Sequence, residues 1–118
     1  MNSKFILSLF ILALGLVSCE EKAYITVTSK LSGVKIQNIQ FGTILISNGS
    51  LLPGESTKEY ELSDRDGISF PMNEAISFYM IKGDKQVFLK TKEIYSIDDG
   101  KTLSIEISDN TEVIGWLD

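Results

Sequence analysis

Histidine is absent from this chain, which removes the commonest general base and the commonest zinc ligand. Cysteine occurs once, at Cys19, so no internal disulfide can form. Prolines number two, and no Pro-rich linker, internal repeat or low-complexity tract divides the chain. Lysines and arginines never stand next to one another, so the clustered positive charge that nucleic acid and anionic lipid demand is missing. Serine catalysis without histidine needs a Ser–Lys arrangement. Neither Ser104, Ser108 nor any other serine sits in the Gly-x-Ser-x-Gly context of a nucleophile elbow. Paired carboxylates hydrolyse glycosides at separations of about 5 to 9 Å, but 16 acidic residues make some close pair inevitable. The expectation is a non-enzymatic chain with no catalytic residue and no cofactor.

What is present begins with a charged start, Met1-Asn2-Ser3-Lys4, and an apolar run from Phe5 to Val17 whose one polar residue is Ser8. As a helix this run is about 20 Å long at roughly 1.5 Å per residue. A bilayer core is about 30 Å thick, so the run is too short to span it and suits the apolar region of a signal peptide. It is apolar on every face, unlike an amphipathic core helix. The run leads into Leu16-Val17-Ser18-Cys19, which resembles the lipobox of bacterial lipoproteins. That resemblance covers the first 19 residues. It implies a diacylglycerol thioether on Cys19, cleavage between Ser18 and Cys19, and N-acylation of the new terminus. The lone cysteine would then be spent on the anchor. Two or three acyl chains, at roughly 0.8 kcal/mol per buried methylene, hold far more firmly than one. Glu20-Glu21 follows directly, and resembles the acidic signal that sends lipoproteins to the outer surface in some Gram-negative lineages. The implied location is the cell envelope, at the outer membrane, with the membrane as the first partner.

Without residues 1–18 the chain keeps 10 basic and 16 acidic residues, a net charge of −6. About a hundred residues make one domain with a core of its own. The expected division is a signal peptide at 1–18, a lipidated tether at 19–22 and a β-domain at 23–118. Apolar residues recur with period two almost throughout. Ala23, Ile25 and Val27 alternate with Tyr24, Thr26 and Thr28. Leu103, Ile105 and Ile107 alternate with polar neighbours, and Val113 to Leu117 reads as a last edge strand. A phase slip near Gln37-Asn38 predicts a β-bulge. Asn48-Gly49 and Asp98-Asp99-Gly100-Lys101 predict hairpin turns, and Pro53-Gly54 a type II turn after leucines that plug one end of the core. Together these predict an all-β, antiparallel β-sandwich of about seven to nine short strands. It is similar to the small immunoglobulin-like or transthyretin-like sandwiches of envelope lipoproteins.

Few residues stand out as sites. Asp64-x-Asp66-Gly67 resembles a fragment of a calcium loop, which needs oxygen ligands and a glycine turn. It lacks the third Asp or Asn and the correctly spaced Glu, so an ordinary Asx-turn competes with it. Trp116 is either a stacking or partner-anchoring residue or a plug for the open end of the sandwich. Tyr24, Tyr60, Tyr79 and Tyr95 read as strand residues with the hydroxyl at the rim. Several of them on one exposed face would make a glycan or peptide surface. The leading expectation is a lipid-anchored binding or structural module with a protein partner in the envelope. An inhibitor or accessory subunit of an envelope enzyme, acting through Ser63 to Ala75, is the alternative, and a carboxylate hydrolase a third.

Overall fold

In strand β1, Lys22–Lys30, alternation becomes burial: Ala23, Ile25, Val27 and Ser29 are fully buried and their neighbours are not. The computed structural model describes residues 20–116. Cys19 and Ser18, with the lipidation and cleavage expected there, lie outside the described residues. The remaining strands are β2 (Lys35–Phe41), β3 (Ile44–Leu51), β4 (Tyr60–Ser63), β5 (Met72–Glu74), β6 (Ile76–Lys82), β7 (Lys85–Thr91), β8 (Tyr95–Ile97), β9 (Thr102–Ser108) and β10 (Val113–Trp116). One 3-10 turn, Asp64–Asp66, follows β4.

The strands form a three-stranded sheet in the order β4-β1-β9, a five-stranded sheet in the order β10-β7-β6-β2-β3, and a small β5-β8 ladder. Ile25 and Val27 from β1, Leu62, Ile105 and Ile107 join Ile36, Phe41, Phe78 and Leu89 from the larger sheet in a single buried cluster. Two sheets sharing one core make an all-β sandwich. Each fully buried side chain of this size contributes roughly 1.5–3 kcal/mol.

Polar groups inside the sandwich are bonded. The Thr91 hydroxyl accepts from Ile76 N–H at 3.0 Å and donates to the Glu93 carbonyl at 2.9 Å. Thr57 Oγ1 accepts from Val27 N–H at 3.0 Å.

The structure departs from the sequence reading at several points. The ladders are antiparallel except β1–β9, which is parallel from Tyr24↔Thr102 to Lys30↔Ser108. A parallel pair needs a long crossover, and here nearly the whole domain lies between the partners. Asp98–Lys101 turns as expected, with Lys101 N–H donating to the Asp98 carbonyl at 3.2 Å, but it makes no hairpin. It carries the chain from β8, paired with β5, to β9 beside β1.

Asn48-Gly49 does not turn the chain either. The β2–β3 reversal is made by Gly42-Thr43, with Gly42 at φ +61°. A Cβ on Gly42 would displace the flexible end of the Glu74 side chain, 2.7 Å away, and the positive φ itself favours glycine here. Asn48-Gly49 instead sits inside β3 where its register against β2 shifts. The bulge expected in β2 is present: Asn38 has φ +55° and β2 slips against β6 between Gln37 and Gln40.

Leu51 plugs the core, whereas Leu52 is 55% exposed. The turn between them and Ser56 closes through Glu55 N–H to the Leu52 carbonyl at 3.0 Å, with Gly54 at φ +90°. Strand β4 begins only at Tyr60, and upstream of it Ser56 makes an isolated bridge to Thr28.

Residues 20–22 are not a free tether. Lys22 already belongs to β1, where its N–H donates to Asp99 Oδ1 at 2.9 Å and its carbonyl accepts from Gly100 N–H at 2.7 Å. Glu21 N–H donates to Asp64 Oδ2 at 3.3 Å, and the Glu21 carbonyl accepts from Asp64 N–H at 3.1 Å. The Ser63 hydroxyl donates to Glu20 Oε1 at 2.7 Å, and Arg65 and Lys22 form ion pairs with the same carboxylate. These bonds hold the Glu20 carboxyl below the usual range, Ser63 contributing most.

Candidate functional site

Period-two alternation in β6 and β7 sends one set of residues into the core and leaves the other on the outer face of the five-stranded sheet. Ile76, Phe78 and Met80 point inward with Val87, Leu89 and Thr91, which leaves Ser77, Tyr79 and Ile81 beside Gln86, Phe88 and Lys90. The register aligns Tyr79 with Phe88, Ser77 with Lys90 and Ile81 with Gln86. Across β2, Gln37 aligns with Tyr79 and Gln40 with Ser77. Toward the other edge, Ile114 aligns with Lys90 and the backbone of Trp116 with Phe88. The Tyr79 and Phe88 rings pack with centroids 5.1 Å apart and planes tilted by 57°. Ile114 and Leu45, on the two edge strands, are each nearly half exposed.

Charge is sorted in the same way. None of the chain's 16 carboxylates falls within the five strands of this sheet, which carry Lys35, Lys82, Lys85 and Lys90. The outer side of the three-stranded sheet is different: Tyr24, Thr26 and Thr28 lie beside Glu61, Thr102, Ser104 and Glu106.

Two depressions border this face, the first of them touching Phe88. One, of about 310 Å³, is lined by Gln40, Thr43, Ser77, Phe88 and Lys90, with Glu74 of β5 at its wall. The other, of about 320 Å³, lies where β2 begins and β6 ends, between Val34, Lys35, Leu52, Pro53, Ile81 and Lys82. A third cleft, of about 610 Å³, lies beyond the end of β7 and the start of β10 and gathers Glu93, Glu106, Glu112 and Lys92 around Tyr95. Burial first, and the neighbouring Glu93 second, push the Tyr95 hydroxyl up to about 12. Lys92 pairs with Glu112 at 3.9 Å.

The residues singled out from sequence are scattered. Asp64 and Asp66 belong to the exposed 3-10 turn, and Asp64 spends its carboxylate on Glu21 N–H. Among the described residues, no three His, Cys, Asp or Glu side chains converge to hold a metal ion. Trp116 ends β10 in register with Phe88; its side chain lies outside what is described. The four tyrosines do not gather: Tyr24 is on the smaller sheet, Tyr60 packs against the core, Tyr95 is in β8, and Tyr79 alone reaches the larger face.

Phe88 was the residue to notice. It stands out of phase with Val87 and Leu89, as Tyr79 does with Phe78 and Met80, and two such aromatics in adjacent strands meet on the outside. Ser63 to Ala75 does not protrude: Ile68, Phe70 and Met72 pack against the core, and Met72–Glu74 pairs with β8.

The fold and the face define a β-sandwich with one apolar, lysine-bearing sheet surface in an otherwise acidic body. No family model, curated protein or solved structure matches the chain.

Proposed function

We propose that this protein is a lipid-anchored, non-enzymatic binding module of the cell envelope, held at the outer membrane through Cys19, and that it meets its partner with the outer face of the five-stranded sheet. One observation carries the binding assignment: the exposed Leu45 and Ile114, the half-buried Tyr79 and Phe88, and lysines share a face from whose strands every carboxylate is missing. Exposed apolar surface bordered by polar groups marks interaction sites. The anchoring assignment is supported by Leu16-Val17-Ser18-Cys19 and its apolar approach. On this reading Cys19 adjoins a residue already bonded to Ser63, so the sandwich sits against the bilayer with almost no slack.

Metabolic labelling with a palmitate analogue tests the anchor, since label should enter the natural chain and be absent from Cys19→Ala. A photo-crosslinker tests the face. Placed at Gln86 it should capture an envelope protein that the same group at Ser104, on the opposite sheet, does not. Equal capture from both positions would remove the face assignment, and equal labelling of both chains the anchor.

A further inference from the structure

The cleft between Val34, Leu52, Pro53 and Ile81 continues the sheet face at the end of the domain remote from Glu20. Strand β1 separates the two ends by roughly 26 Å at about 3.3 Å per residue. We propose that this cleft is the anchor pocket for an acidic polypeptide: one large apolar side chain of the partner enters it, and flanking carboxylates of the same segment meet Lys35 and Lys82. This deepens the reading of the five-stranded face as the binding surface and rests on it.

Three observations favour that occupant. Val34, Leu52, Pro53 and Ile81 give the cleft an apolar lining, and the volume, about 320 Å³, at the lower end of small-molecule pockets, is ample for one large side chain. Leu52 is 55% exposed beside it, an apolar group left in water on a chain that buries its other leucine of the pair. The charged residues lining the cleft, Lys35 and Lys82, are both positive. The nearby Glu55 carboxylate is engaged, accepting from Leu52 N–H at 2.7 Å. Sugar is the poorer match: the cleft offers few side-chain hydrogen-bond groups for hydroxyls, and the Tyr79 and Phe88 rings, tilted by 57°, share no plane on which a sugar ring could lie.

The test uses the full chain purified in detergent, titrated with a synthetic peptide alternating glutamate and leucine, with its lysine counterpart, and with a polyuronate. Binding is read by calorimetry. The acidic peptide should bind, the lysine peptide should not, and affinity should fall as salt rises. Leu52→Ser and the Lys35→Glu, Lys82→Glu pair should each weaken binding about tenfold or more. Both sites are exposed, so these chains should fold, which circular dichroism checks. Glu106→Lys on the opposite sheet should change affinity about twofold or less. Binding of the polyuronate in preference to the peptide overturns the proposal. So does binding unaffected by the cleft variants, an absence of binding, or self-association lost in those variants, which would make a second copy the occupant. Retained peptide binding by a chain that fails to take up palmitate would remove the anchor and leave this pocket standing.

Discussion

The two outer faces of the sandwich share one core and are chemically opposite. The outer side of the three-stranded sheet carries Tyr24 among polar groups, Thr26, Thr28, Thr102, Ser104, Glu61 and Glu106, with the Thr28 hydroxyl bonded to Ser56 at 2.6 Å. The five-stranded sheet turns out Tyr79, Phe88, Ile81, Ile114 and Leu45 with lysines and glutamines. A face that served only to close the fold would gain nothing from leaving Leu45 and Ile114 in water.

The sharpest way to break that contrast is to remove what both faces rest on. Phe78 is 1% exposed in the shared core, and Phe78→Ala should lower stability by about 3–5 kcal/mol. Urea denaturation should then show the aromatic face and the threonine face lost in one transition. Thr91→Val acts on the larger sheet. It leaves the buried Ile76 N–H without its Thr91 partner, at about 1–3 kcal/mol. Hydrogen exchange should rise first along β6 and β7.

Two glycines sharpen the comparison within one hairpin. Gly42→Ala forces a side chain into a positive-φ position against Glu74 and should cost about 1 kcal/mol or more. Gly49→Ala, with open space and no positive φ, should leave the melting temperature nearly unchanged. A reversed order would return the turn to Asn48-Gly49.

The smallest effect concerns acid. Glu20 and Asp109 are held below the usual carboxylate range, by Ser63 first in one case and by the Ser32 backbone N–H first in the other. A depressed carboxylate stabilises the fold above its unfolded pKa, and the contribution is lost as pH falls through the folded value. Acid titration should therefore loosen the Glu20–Ser63–Arg65 contacts and the Ser32–Asp109 contact below the ordinary carboxylate range. Glu20→Gln should flatten the first response and leave the second.

Much of the fold was legible in the chain. β1 and β9 declare themselves by alternation, because a half-buried strand places every second residue in the core. The Gln37-Asn38 slip announced its bulge, since a one-residue shift flips the buried set. The Asn48-Gly49 hairpin failed because a dipeptide specifies a local bend and not which strands lie on either side. Gly42-Thr43 won the turn because Ile44 and Phe41 then pair with their apolar sides inward. The candidate face was half legible: Phe88 and Tyr79 are out of phase with their neighbours. Their meeting depends on register between β6 and β7, and the cleft depends on bringing the 52–53 turn to the end of β6.

The sequence by itself determined that the chain is all-β, where most strands lie, and that its carboxylates avoid the segments that became the larger sheet. It also carries Leu16-Val17-Ser18-Cys19, on which the anchoring proposal stands. Tertiary structure alone decided that β1 runs parallel to β9, that Glu20 is bonded to Ser63, and that Tyr79, Phe88, Ile81 and Lys35 form one surface. The physical reason is that alternation encodes which side of a strand is buried, a local property. Which strand lies beside it is settled only when distant apolar faces compete for the same core.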